Sequence, residues 1–121
     1  VEAAGTSYAD FTTVIPEQQA RKVIDFSRFV GIEARLVAVA AASGTGTRGY
    51  QMIRDSDSDV MCLVEWTGTG AARRIGSWTR FNWDRVDTNV HLQRKGGTAA
   101  TITTRYVELQ IRGRNIGVAG A

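Results

Sequence analysis

Thr101-Ile102-Thr103-Thr104-Arg105-Tyr106-Val107-Glu108-Leu109-Gln110-Ile111-Arg112 alternates with a period of two. Arg105, Val107, Leu109 and Ile111 fall on one side, and Tyr106, Glu108, Gln110 and Arg112 on the other. A helix would mix the two sets, whereas an extended chain separates them. The stretch therefore reads as a long half-buried strand. The same period recurs upstream. Ile32 to Ala41 places Ala34, Leu36, Ala38 and Ala40 on one face and Arg35, Val37 and Val39 on the other. Both faces are fairly apolar, which suits a central strand. In Val60 to Trp66, residues Val60, Cys62, Val64 and Trp66 oppose Met61, Leu63 and Glu65. Asn89 to Lys95 puts Val90 and Leu92 inward and His91, Gln93 and Lys95 outward.

Turn signals separate these runs: Ser43-Gly44-Thr45-Gly46-Thr47, Asp55-Ser56-Asp57-Ser58-Asp59, Thr67-Gly68-Thr69-Gly70 and Gly96-Gly97. Glycine supplies positive φ, and Asp and Ser bond their own backbone, so each suits a loop. Strands are expected near 8–15, 21–26, 32–42, 49–54, 60–66, 75–83, 88–95 and 99–112. Pro16 to Lys22 could hold one helical turn. No stretch keeps a 3.6 period. Eight strands with short loops predict an all-β fold, a two-sheet antiparallel β-sandwich with a jelly roll as the natural eight-strand solution. At 121 residues the chain makes one domain, 1–121. Val1 to Ser7 reads as an N-terminal arm and Gly113 to Ala121 as a C-terminal tail.

Composition narrows the function. No run of about 18 apolar residues is present, so no membrane-spanning helix is expected. Cys62 is the single cysteine. It has no partner for an internal disulfide, and its alternation with Val60 and Val64 makes it a small buried hydrophobe. The net charge is +3 and all but two of the basic residues, Lys22 and Lys95, are Arg. Arg suits planar, stacked or bidentate contacts; a GC-rich genome also supplies it. The Arg residues are spread along the chain, so no nucleic-acid footprint is read from them.

Catalytic and metal signals are sparse. His91 is the only histidine and reads as an exposed or rim strand residue; an enzyme would need it beside a nucleophile or an acid. Gly44 and Gly46 lack the Lys-Ser/Thr pair of a phosphate loop. Asp55, Asp57 and Asp59 alternate as calcium ligands do. An EF-hand loop, however, needs Gly at its sixth position and an acid at its twelfth, where Val60 and Trp66 stand. The plain reading is a solvated hairpin loop. No cofactor is expected.

The most distinctive stretch is Arg73-Arg74-Ile75-Gly76-Ser77-Trp78-Thr79-Arg80-Phe81-Asn82-Trp83-Asp84-Arg85. Aromatics interleaved with Arg can stack on sugars or bases. Trp78 and Trp83 have opposite parity on a regular strand, so Trp83, with Phe81 and Ile75, is expected in the core. Trp78, Arg80, Tyr106, Arg73 and Arg74 are the candidate surface contacts.

Val23-Ile24-Asp25-Phe26-Ser27-Arg28-Phe29-Val30-Gly31, leading into Glu33-Ala34-Arg35-Leu36-Val37-Ala38, and the closing Tyr106-Val107-Glu108-Leu109-Gln110-Ile111-Arg112 resemble jelly-roll modules of bacteriophage particles. These are capsid-decorating (cement) proteins and tail or fibre modules. The chain also resembles jelly-roll carbohydrate-binding modules. The resemblance runs over residues 20–112 at the level of strand pattern and carries over no functional residue. It implies a virion structural protein that is not an enzyme, assembles as a homo-oligomer with a trimer favoured, and binds a capsid or tail protein. A glycan is the partner under the carbohydrate-binding alternative.

Overall fold

The computed structural model describes residues 2–11, 21–25, 29–81 and 87–115. These form ten strands: β1 (Glu2–Ala4), β2 (Ala9–Asp10), β3 (Arg21–Asp25), β4 (Phe29–Ala42), β5 (Arg48–Arg54), β6 (Val60–Trp66), β7 (Ala72–Ile75), β8 (Thr79–Arg80), β9 (Asp87–Lys95) and β10 (Ala100–Asn115). The first sheet has the order β1-β10-β4-β7, with β8 also paired to β4. The second has the order β2-β9-β5-β6, with β3 also paired to β9. All pairs are antiparallel.

β2 and β3 lie along the same strand, β9, and β7 and β8 along the same strand, β4. Each couple is one interrupted strand, which leaves eight. Those eight pair as nested couples: first with last, second with seventh, third with sixth, and β5 with β6 as the innermost hairpin. That is the rolled-up hairpin of a jelly roll. The expected two-sheet β-sandwich is therefore the fold.

The core follows the alternation. Ala34, Leu36, Ala38 and Ala40 of β4 are fully buried, and Tyr50, Met52, Cys62, Val64, Trp66, Val90 and Leu92 meet them from the second sheet. Val107 and Leu109 pack against this cluster with Phe11 and Phe81. Across the sandwich the Tyr50 hydroxyl and Thr104 Oγ1 lie 2.5 Å apart; the Tyr50 ring stacks on Phe11 and lies tilted against Trp66, with centroids 6.2 and 5.9 Å away. Burial pushes the Tyr50 hydroxyl up to about 12.

Four details differ from the strand pattern. Residues 2–4 are not a loose arm. They pair with Ile102 to Ala100 as β1, because Glu2, on the core side, forms a buried ion pair with Arg94 of β9. A lone buried Arg94 would be costly, so the ion pair fixes β1 in place. The strand expected over 75–83 breaks at Gly76–Trp78. Gly76 donates to Leu36 O at 2.8 Å, and a Cβ on it would fall 2.4 Å from Leu63 O, so only glycine lets the chain pass there. Ile75 consequently faces out, 49% exposed, where core was expected; Phe81 does reach the core. In β6, Cys62 pairs with Met52 but Val60 with Ile53, so Met61 is a bulge. Met61 is buried and Val60 turned outward, the reverse of strict alternation. Finally, β10 runs on to Asn115, so Gly113 belongs to a strand. Trp83, the possible helical turn at 16–22 up to residue 20, and the tail from 116 lie outside the described residues.

Candidate functional site: the outer face of the first sheet

The sequence candidates converge because register places them in rows across β10, β4 and β7 or β8. Directly opposed residues share a face. Tyr106 lies opposite Val39, which lies opposite Arg73. Glu108, Val37 and Ile75 form the next row, and Gln110 and Arg35 the one after. Arg112, Glu33 and Arg80 complete the array. The run-on alternation of β4 makes this face, since Val37 and Val39 have the parity opposite to Leu36 and Ala38. Val37 is fully buried although it points away from the core, so the side chains of this face close over it.

Trp78 comes from the Gly76–Trp78 break. The guanidinium carbons of Arg35 and Arg112 lie 4.5 and 4.1 Å from its ring centroid. Arg35 Nε donates to Gln110 Oε1 at 2.7 Å, and Arg112 Nε donates to Glu33 Oε1 at 3.1 Å. The two guanidiniums are thereby held while they face the indole. Tyr106 is 47% exposed and its hydroxyl donates to Glu108 Oε2. That bond raises the Tyr106 hydroxyl and lowers the Glu108 carboxyl relative to their usual ranges. The face holds four guanidiniums, of Arg35, Arg73, Arg80 and Arg112, against the carboxylates of Glu33 and Glu108.

Of the five residues expected to make surface contacts, Trp78, Arg80, Tyr106 and Arg73 thus sit together. Arg74 does not. Opposite Ala38, it points to the core side, with its guanidinium carbon 5.9 Å from the Trp66 ring centroid and its Nε buried. The sequence reading missed Arg35 and Arg112, whose parity beside Val37 and next to Gln110 was the available signal.

The second sheet's outer face carries a separate polar cluster. His91 Nδ1 meets Asp55 Oδ1, and His91 Nε2 lies 3.1 Å from Asp10 Oδ1. Both ring nitrogens face carboxylates, and neither faces a hydroxyl or thiol among the described residues. The ring ties β2, β9 and the 55–59 loop together; it is more enclosed than a rim residue, its side chain 13% exposed. Asp57 and Asp59 of that loop both face Arg54, at 2.7 and 3.9 Å, and the Arg54 hydrogen bond holds Asp57 below its usual range. No group of three His, Cys, Asp or Glu residues with metal-holding geometry occurs among the described residues. Cys62 is buried, and desolvation pushes its thiol up to about 12.

The molecule is thus a jelly-roll sandwich with an aromatic, arginine-rich outer sheet face. Comparison with protein-family models, curated proteins and solved structures finds no match.

Proposed function

We propose that the chain is a non-enzymatic structural protein of a virus particle, a capsid-decorating or tail/fibre component that self-associates and binds the particle surface. One observation carries this reading: Arg73, Arg80, Trp78 and Tyr106, scattered over thirty-odd residues of sequence, share one outer sheet face with a surplus of guanidinium. Guanidiniums preset by Trp78, Gln110 and Glu33 lose little freedom on meeting carboxylates of a partner. Exposed Tyr106 and Ile75 supply the apolar contact that such an interface centres on. The jelly roll adds support by analogy of fold alone, since capsid and lectin domains both use it.

The test is the composition of purified particles from the source of the gene. Mass spectrometry is expected to find the chain in many copies per particle. Recombinant chain carrying Arg73→Glu and Arg80→Glu should fail to bind particles stripped of it while keeping its β-sheet circular dichroism. Absence of the chain from the particles would overturn the proposal.

Tyr106 beside Glu108 favours the second reading, a carbohydrate-binding module, because one exposed ring next to a carboxylate can stack on and hydrogen-bond a sugar. Trp78 adds little to it, its ring being engaged by Arg35 and Arg112. A glycan-array signal abolished by Tyr106→Ala would favour this reading; none, or one that persists, would count against it.

A further inference from the structure

The first sheet ends abruptly on one side. β1 covers β10 only at Ala100–Ile102, and among the described residues no strand pairs with that edge beyond Ile102. Gly76 N donates to Leu36 O, so Leu36 turns its peptide groups toward β7. Leu109, directly opposite Leu36, therefore turns its own away from β4, toward the open edge. Val107 and Ile111 share that parity. Their side chains point to the core side, yet Ile111 is 41% exposed. An edge with outward peptide groups and an uncovered core-side isoleucine is a template for another strand.

We infer that the occupant is β10 of a second copy, paired antiparallel about a twofold axis at Gln110. This deepens the self-association of the proposed function and rests on that part of it. Three observations select the register. Opposed residues must share parity, so that core-side side chains stay on one face. Centring on Gln110 sets Glu108 of each copy opposite Arg112 of the other; centring on Glu108 would oppose two carboxylates instead. The same register maps 105–115 onto itself, which uses the edge from the bulge after Thr104 to the strand end at Asn115 and leaves β1 undisturbed. Leu109 of each copy then exchanges main-chain bonds with Ile111 of the other, and Ile111 is covered. Arg112 keeps Glu33, since its guanidinium has donors to spare and its side chain is 53% exposed. The two sheets become one across the axis. The unit is a closed pair of copies, in place of the threefold ring expected from the resemblance.

Cysteine scanning tests the register. Gln110 residues on the axis would form a directly opposed pair without main-chain bonds, with Cα atoms about 4.5 Å apart, inside disulfide range. Gln110→Cys should give a reducible covalent dimer under mild oxidation. Glu108→Cys should not, because its two copies lie about 13 Å apart along the strands. The buried Cys62 leaves the parent chain as a blank. Light scattering of the parent should give the dimer mass. A monomeric mass up to millimolar concentration overturns the pairing, as does a dimer in which Gln110→Cys stays uncross-linked. Neither result touches binding to particles, which the particle assay reads separately.

Discussion

At the scale of single residues, the buried charges among the described residues are held in two ways. Glu2 and Arg94 are both buried and neutralise each other. Glu2→Ala leaves Arg94 without its partner and should cost about 3–5 kcal/mol in denaturant melts. Arg48, also buried, is held differently: its terminal nitrogens donate to the carbonyls of Ser43, Gly44, Gly46 and Thr67 at 2.6–3.1 Å. It serves as the peg around which the loops at one end fold. On the surface, Lys95 Nζ lies 2.5 Å from Glu65 Oε2, and this hydrogen bond is the main cause that lowers the Glu65 carboxyl; Tyr8 donates to the same oxygen at 2.7 Å. The folded value is below the unfolded one, so the contribution to stability is present above the unfolded pKa near 4.3. It disappears as pH falls through the folded value. Carboxyl-detected NMR titration should find Glu65 moved up toward the ordinary carboxylate range in Lys95→Ala. Cys62, with its raised thiol, should resist thiol reagents at neutral pH until the chain unfolds.

At the scale of elements, the sharpest dependence is on Gly76. Gly76→Ala drives a methyl group into Leu63 O, a main-chain atom that cannot swing aside. The variant should lose about 1–3 kcal/mol, and the amides of β7 should lose protection from hydrogen exchange before those of β5 and β9. The elements also show what a period-two reading can deliver. The bounds of β6 were legible to the residue, and those of β4, β5, β9 and most of β10 within a few positions, because half-buried strands write their burial into alternation; which way Val60 and Met61 face was not. Three things were not written there. A bulge such as Met61 shifts parity without altering composition. The break after Ile75 comes from a backbone approach to β6 that is remote in sequence. β1 has no alternation to read, since Glu2 owes its burial to Arg94 ninety-two positions away. The candidate outer face was legible as far as residue types went: Trp78, Arg80, Tyr106 and Arg73 stood out as aromatics and arginines of the strand pattern, and they share that face. Arg74 failed the same test because adjacent strand residues face opposite ways, so Arg73 and Arg74 cannot both line one surface.

At the scale of the whole molecule, nested pairing sets the order in which parts depend on one another. β5 and β6 are joined by a tight hairpin, while every other couple closes a longer loop around it. Couples formed later thus profit from loops already shortened. Folding should be slow for a chain of this size, with the hairpin protected early and β1–β10 last in pulsed hydrogen exchange. The same nesting leaves the first and last described strands as antiparallel neighbours. Going back from Glu2 and forward from Ile102, the chain heads the same way along the sheet. A force that draws Glu2 and Ile102 apart across the sheet therefore loads the ladder between them one rung at a time, like a zip, instead of straining all rungs together. With three rungs, β1 should be the strand that parts first under such a load. Fastened along the face of a sheet to a surface beneath, the same fold would meet the load broadside.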